Sequence, residues 1–153
     1  MPAYQIETQI NSGDASVLAP LIENIAQSTL SQQSVTDQAS LTIMVSDDAT
    51  LHDLNKTYRH EDKPTDVLSF EDGTVWPDGT LYLGDIAISL ETAERQANKG
   101  GHDLQAEMAL LTAHGVLHLL GHDHAKSDEK AKMWDAQAQI LKSAGYSDIT
   151  YPE

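Results

Sequence analysis

The chain has 153 residues, with 24 Asp plus Glu against 9 Lys plus Arg and a formal net charge of -15. That length suits one domain, or two very small ones, with enough chain for a sizeable core; a hydrophobic content of 40% with only 5 Pro excludes global disorder. The acidity excludes a nucleic-acid binder held by a broad basic face, no apolar run is long enough to span a bilayer, and the lack of Cys removes disulfides, thiolate chemistry and Cys-ligated zinc together.

The first Lys or Arg is Lys56, and seven acidic residues precede it. Met1 to Ile10 has neither the basic nor the apolar region of a secretory signal, so a cytoplasmic location is expected. Tyr4, Ile6, Thr8 and Ile10 alternate with Gln5, Glu7 and Gln9, the pattern of a half-buried strand. Asn11 to Asp14 form a turn. Val17, Leu18, Leu21, Ile22, Ile25, Ala26 and Leu30 then recur at helical spacing, with Pro20 expected in the first turns, where its missing N–H costs least. A polar connector runs to Asp37. Leu41–Val45 is a second strand. Ser46 reads as the N-cap of a short helix carrying Leu51, Leu54 and Tyr58, with Asp47 and Asp48 at its N-terminus. His60–Pro64 is a charged loop, Asp66–Phe70 a short strand, and Glu71–Thr80 a turn-rich excursion. Tyr82–Ser89 is a further strand interrupted by Gly84 and Asp85. A helix from Ser89 or Glu91 is closed by Gly100 and Gly101. The longest helix is expected from about Asp103 to Leu120, with Met108, Leu111, Val116 and Leu119 on its apolar face and Gly121 as terminator. Ser127 should cap a last helix that buries Met133, Trp134, Ile140 and Leu141 and stops at Gly145. These elements predict an α/β (α+β) fold: a single domain over 1–153 in which a small mixed sheet packs against helices.

The chemistry concentrates in four histidines between positions 114 and 124. His114 and His118, four apart, share one helix face. Gly121 lets the backbone turn back so that His124 supplies a third nitrogen. Three neutral imidazoles with a place left for water form the pattern of a catalytic zinc site, although nickel or another transition ion also accepts it. His122 is either a fourth ligand, a pocket-lining residue or a residue on the far side of the turn. His52, His60 and His102 read as solvent-facing or locally hydrogen-bonded. The spacing also matches the long zinc signature of metzincin peptidases except at one position: the glutamate that serves those enzymes as general base would be residue 115, which is Gly115. No Gly-rich phosphate cradle is present.

Four blocks extend the match. They are Asn55-Lys56-Thr57-Tyr58-Arg59, Lys63-Pro64-Thr65-Asp66-Val67-Leu68-Ser69-Phe70, Leu83-Gly84-Asp85-Ile86-Ala87-Ile88-Ser89, and His114 through His124. In this order they resemble the bacterial YbeY endoribonuclease family. The resemblance implies a metal-dependent, single-strand-specific endoribonuclease that matures rRNA, in particular the 3′ end of 16S rRNA, and takes part in ribosome quality control. It implies one Zn2+ per chain on His114, His118 and His124, holding a catalytic water, and an arginine near the cleft at Arg59. His122 stands where many relatives have Tyr. RNA, as a 16S rRNA precursor in its ribosomal context, is the implied substrate. A ribosomal protein or an assembly GTPase is the implied partner, and no membrane is involved.

Arg59 suits a phosphate because its guanidinium is a permanently charged, bidentate donor; the alternative is an ion pair with Glu61 or Asp62. Asp85 is either an orienting partner for a ligand imidazole or a surface acid at a strand end. Lys63 is expected near the cleft, on a loop fixed by Thr65 and Asp66. Asp123 should accept an N–H in the terminal turn, Ser69 and Ser89 line the cleft floor or satisfy backbone groups, and Trp76 either stacks on a base or packs. Two rival functions remain: a metzincin-like zinc peptidase or other metal hydrolase, and a non-enzymatic ribosome-assembly factor with structural zinc. Given the net charge, weak affinity for naked RNA is expected, with capture resting on a small cleft or on a partner.

Overall fold

A computed structural model describes residues 4–35, 38–146 and 149. The alternation noted above forms β1 (Tyr4–Ile10), whose odd and even residues differ in burial along its whole length. Asp14 caps α1 (Ala15–Gln32) by accepting from the Ser16 N–H. At 18 residues α1, not the histidine helix, is the longest helix described. Pro20 is its sixth residue, within the first two turns as expected, and it lies on the solvent side. The end of the polar connector, Thr36 and Asp37, lies outside the described residues.

β2 (Ala39–Ser46) pairs parallel with β1. Ser46 is its last residue, and the cap of α2 (Asp48–Arg59) is Asp47, whose carboxylate accepts from Thr50 N at 2.9 Å. Leu51 is the buried anchor of α2, while Tyr58 is 60% exposed and rests edge-on against Phe70. The strand expected to stop at Phe70 continues as β3 (Val67–Val75), with a register shift between Glu71 and Thr74. Asp72 and Gly73 disguise this part as a turn, but pairing with β4 (Leu81–Ser89) overrides local propensity. β4 is parallel to β2 and antiparallel to β3, giving a mixed sheet in the order β1-β2-β4-β3, with β3 at an edge.

Ser89 caps α3 (Leu90–Gly100), and Asp103 caps α4 (Leu104–Leu119). α5 (Ser127–Ser143) begins at Ser127 itself, so that residue is the first helical position rather than the cap. The expected single apolar face of α4 is two faces. Met108, Leu111, Val116 and Leu119 join the sheet and α1, whereas Ala109, Leu110, Ala113 and Leu117 join Met133, Ala136, Ile140 and Leu141 of α5. A helix buried on both sides is rigid, and it carries the histidines. Among the described residues, only α2 covers the other face of the sheet, where Leu51 packs on Leu68 and Ala87. The result is one α+β domain over the described residues. None of its helices is long and apolar enough to cross a membrane.

Candidate metal centre

His114 and His118 project from one face of α4 near its C-terminus. The helix then ends in a Schellman-type turn: Gly121 N donates to His118 O and His122 N to Leu117 O, both at 3.0 Å. Gly121 has φ +97°, a conformation that an L side chain rarely adopts. The chain reverses there, Asp123 accepts from His124 N at 2.7 Å, and the His124 ring comes within 5.5 Å of His114 and 5.4 Å of His118, centroid to centroid. One ring nitrogen from each of the three histidines lies within 4.8 Å of the others.

The donor set fits a zinc ion. His114 Nε2 and His118 Nε2 are 3.1 Å apart; two nitrogens on tetrahedral zinc, each at about 2.0–2.1 Å, would stand about 3.3 Å from one another. His114 is 2% exposed, and its Nδ1 lies 2.6 Å from Gln137 Oε1 on α5. Nδ1–H donates to that oxygen, which leaves Nε2 as the lone-pair nitrogen. Burial is the main cause that pushes the His114 pKa down to about 3, and the neighbouring His118 and His124 act in the same direction against the Gln137 bond. Burial also lowers His118, followed by His124, while Asp123 and Glu71 oppose this. A neutral imidazole is the form that binds metal. Trp134 of α5 closes the back of the site, edge-on to His114 and to His124.

A cavity of about 270 Å³ opens beside the imidazoles, lined by the three histidines, Arg59, Val67, Leu68, Ser69 and Glu71. Arg59, at the end of α2, reaches around edge strand β3. Its Nη2 donates to Ser69 O at 2.5 Å, and its guanidinium lies 5.2 Å from the Phe70 ring centroid. Glu61 pairs instead with Lys63, and Asp62 with His52. Ser69 Oγ donates to Gly115 O at 3.0 Å, tying β3 to α4. Position 115 has no room for a glutamate: a Cβ there would stand 2.9 Å from Ile86 Cγ2 and 3.2 Å from its Cδ1.

Three sequence candidates are elsewhere. Asp85 lies on the α2 side of the sheet, because it pairs across from Phe70 while the adjacent Ile86 faces α4; its carboxylate accepts from Tyr82 Oη. That bond and burial raise the Tyr82 pKa to about 12, with burial the larger cause. His122 occupies the turn position after Gly121, where its ring meets Gln33, the residue that caps the end of α1, at 2.7 Å; it also lines a separate surface hollow. Lys63 is exposed beside Glu61, and its loop is held by Asn55 Nδ2 on Lys63 O at 2.9 Å; Asp66 is buried and caps Val67 N. Ser89 turns to Asp48, Trp76 stacks on Tyr82, and His52 and His102 pair with Asp62 and Glu107. Sequence reading missed Glu71 and Gln137. The first would have needed the extent of β3, and the second the docking of α5.

A family model described as endoribonuclease YbeY matches residues 4–145. A protein named endoribonuclease YbeY from Roseiflexus castenholzii is 40% identical over 149 residues, covering 93% of this chain and 94% of its own. The protein of that name from Roseiflexus sp. strain RS-1 is 43% identical, covering 87% and 88%. The one from Pelotomaculum thermopropionicum is 44% identical, covering 81% and 84%. A solution structure from Thermotoga maritima shares the fold at TM-score 0.60 and 20% identity, covering 92% of each chain.

Proposed function

The chain belongs to the YbeY endoribonuclease family, and from that premise we propose that it is a zinc-dependent endoribonuclease that cuts single-stranded rRNA, maturing the 3′ end of 16S rRNA and acting in ribosome quality control. One observation carries the reading. The only group of metal-capable side chains among the described residues is three imidazoles with no fourth protein ligand, and it opens onto a cavity that Arg59 also lines. A closed four-ligand site would favour a structural zinc; this one leaves a position for chemistry.

His114, His118 and His124 would hold one zinc ion per chain. When bound there, zinc supplies Lewis acidity toward a phosphoryl oxygen and lowers the pKa of water. Gln137 fixes the His114 tautomer, and Trp134 and the Leu110–Leu117 side of α4 keep bulk water from the back of the site. Arg59 acts on the substrate. Its contacts to Ser69 O and the Phe70 ring hold the guanidinium at the wall of the cavity, where its remaining N–H donors would pair with a scissile or flanking phosphate and with charge developing on the phosphoryl oxygens. Position 115 argues against the peptidase, since the acid in that signature has no space.

The charge of -15 bears on capture. A small cleft with one arginine gives few phosphate contacts, so affinity for naked RNA should be low and only weakly salt-dependent. Efficient action then depends on the ribosomal context, with a ribosomal protein or an assembly GTPase presenting the RNA in the cytoplasm. The test is metal-analysed protein on single-stranded and structured rRNA fragments, beside His114→Ala. Cleavage requiring zinc and lost in the variant is expected; cleavage that survives removal of the metal would refute the reading.

A further inference from the structure

We infer that Glu71 is the proton acceptor for the attacking water in this cleft; the inference rests on the endoribonuclease reading above. A hydrolytic site needs a base, and α4 cannot supply one from within its own histidine motif, because a side chain at position 115 would collide with Ile86. The opposite wall can. Along β3 the side chains alternate. Leu68 and Phe70 pack on the α2 side, so Val67, Ser69 and Glu71 face α4. Ser69 already touches Gly115 O, and Glu71, two residues further along the same face, lines the cavity that holds His114, His118 and His124.

Gly84 allows this approach. It pairs with Glu71 at φ +142°, and a Cβ there would stand 2.1 Å from Phe70 O and 3.1 Å from Leu119 Cδ2. The edge strand therefore lies close over the helix end, just before its register shift.

Among the described residues, Glu71 is the only acidic one lining the cavity with Arg59 and the three histidines. It is outside the group whose atoms lie close enough together to share one ion, so it neighbours the metal position without completing it. Among the described residues it enters no ion pair. In the step, the water oxygen forms a bond to phosphorus and its proton passes to a Glu71 carboxylate oxygen. The bond from phosphorus to the leaving ribose oxygen breaks, and that oxygen takes a proton from the Glu71 carboxylic acid, which restores the carboxylate. No oxidant or reductant enters.

The experiment compares zinc-loaded wild type, Glu71→Gln and Glu71→Asp on a single-stranded RNA oligonucleotide. In parallel, zinc affinity is measured for each by competition with a chromophoric chelator. For Glu71→Gln, kcat should fall by about a hundredfold or more, with KM, thermal stability and zinc affinity unchanged, and Glu71→Asp should recover part of kcat. Wild-type kcat in Glu71→Gln overturns the inference. So does zinc affinity that falls together with activity, which would make Glu71 a ligand. Wild type that fails to cut RNA when loaded with zinc refutes the endoribonuclease reading itself, whereas cutting by wild type and Glu71→Gln alike refutes only the role of Glu71.

Discussion

Gln137→Leu isolates the bond that prepares His114. The wild-type Nδ1–Oε1 distance is 2.6 Å, and both residues are buried, at 2% and 3% exposure. Leucine keeps the approximate volume and removes the acceptor. A buried N–H deprived of its partner costs about 1–3 kcal/mol, so metal-free protein should melt lower by roughly 2–4 °C for each kcal/mol lost at this chain length. The effect on metal is separate. Without Gln137 the ring loses its orientation, and the proton can move to Nε2, the atom that should face the ion. Loss of such a partner typically weakens metal binding about 10–100-fold, or roughly 1.4–2.7 kcal/mol. Calorimetry of the metal-free protein reads the first quantity, and chelator competition reads the second. Gln137→Glu keeps an acceptor and should bind zinc more tightly than Gln137→Leu. If Gln137→Leu bound zinc as tightly as wild type, helix packing alone would orient His114, and the hydrogen bond would have no role in preparing the ligand.

Gly115→Ala should destabilise by about 1–3 kcal/mol through overpacking against Ile86, which urea unfolding would measure; it should also weaken zinc binding, because α4 must move. Arg59→Glu should abolish RNA cleavage while zinc content by metal analysis and the far-UV spectrum stay as in wild type, since Arg59 is exposed and holds no part of the core. Glu107 provides a pH prediction. Burial raises its pKa above the ordinary glutamate value, with His102 opposing, so the folded state keeps this proton while the unfolded chain has already lost it. Stability from this group therefore falls as pH rises from the ordinary value through the raised one, and Glu107→Gln should flatten that segment of the stability–pH curve measured by thermal unfolding. An unchanged slope would show that Glu107 does not titrate in this range.

Much of the frame was legible because it is local. Period-two alternation marked β1, helical spacing marked α1, and Asp103 and the paired glycines at 100 and 101 punctuated the later helices. The misreadings were local competitions decided by distant partners. Ser46 and Asp47 are both good caps, and Asp47 takes the role because pairing with β4 extends β2 through Ser46. Glu71 to Val75 reads as a turn until β4 is beside it.

The histidine site divides in the same way. Helical geometry between His114 and His118 and the left-handed turn at Gly121 are properties of eleven consecutive residues, so the sequence determined the three imidazoles by itself. The groups that tune them come from other elements. Gln137 arrives on α5, Arg59 reaches around an edge strand from the far face of the sheet, and Glu71 faces the cleft only because β3 takes the register that it does against β4. Asp85 had the right chemistry but the wrong parity, since a single step along a strand moves a side chain to the other face. Spacing along a helix fixes which residues meet; which face of a sheet meets that helix is decided only when the layers pack.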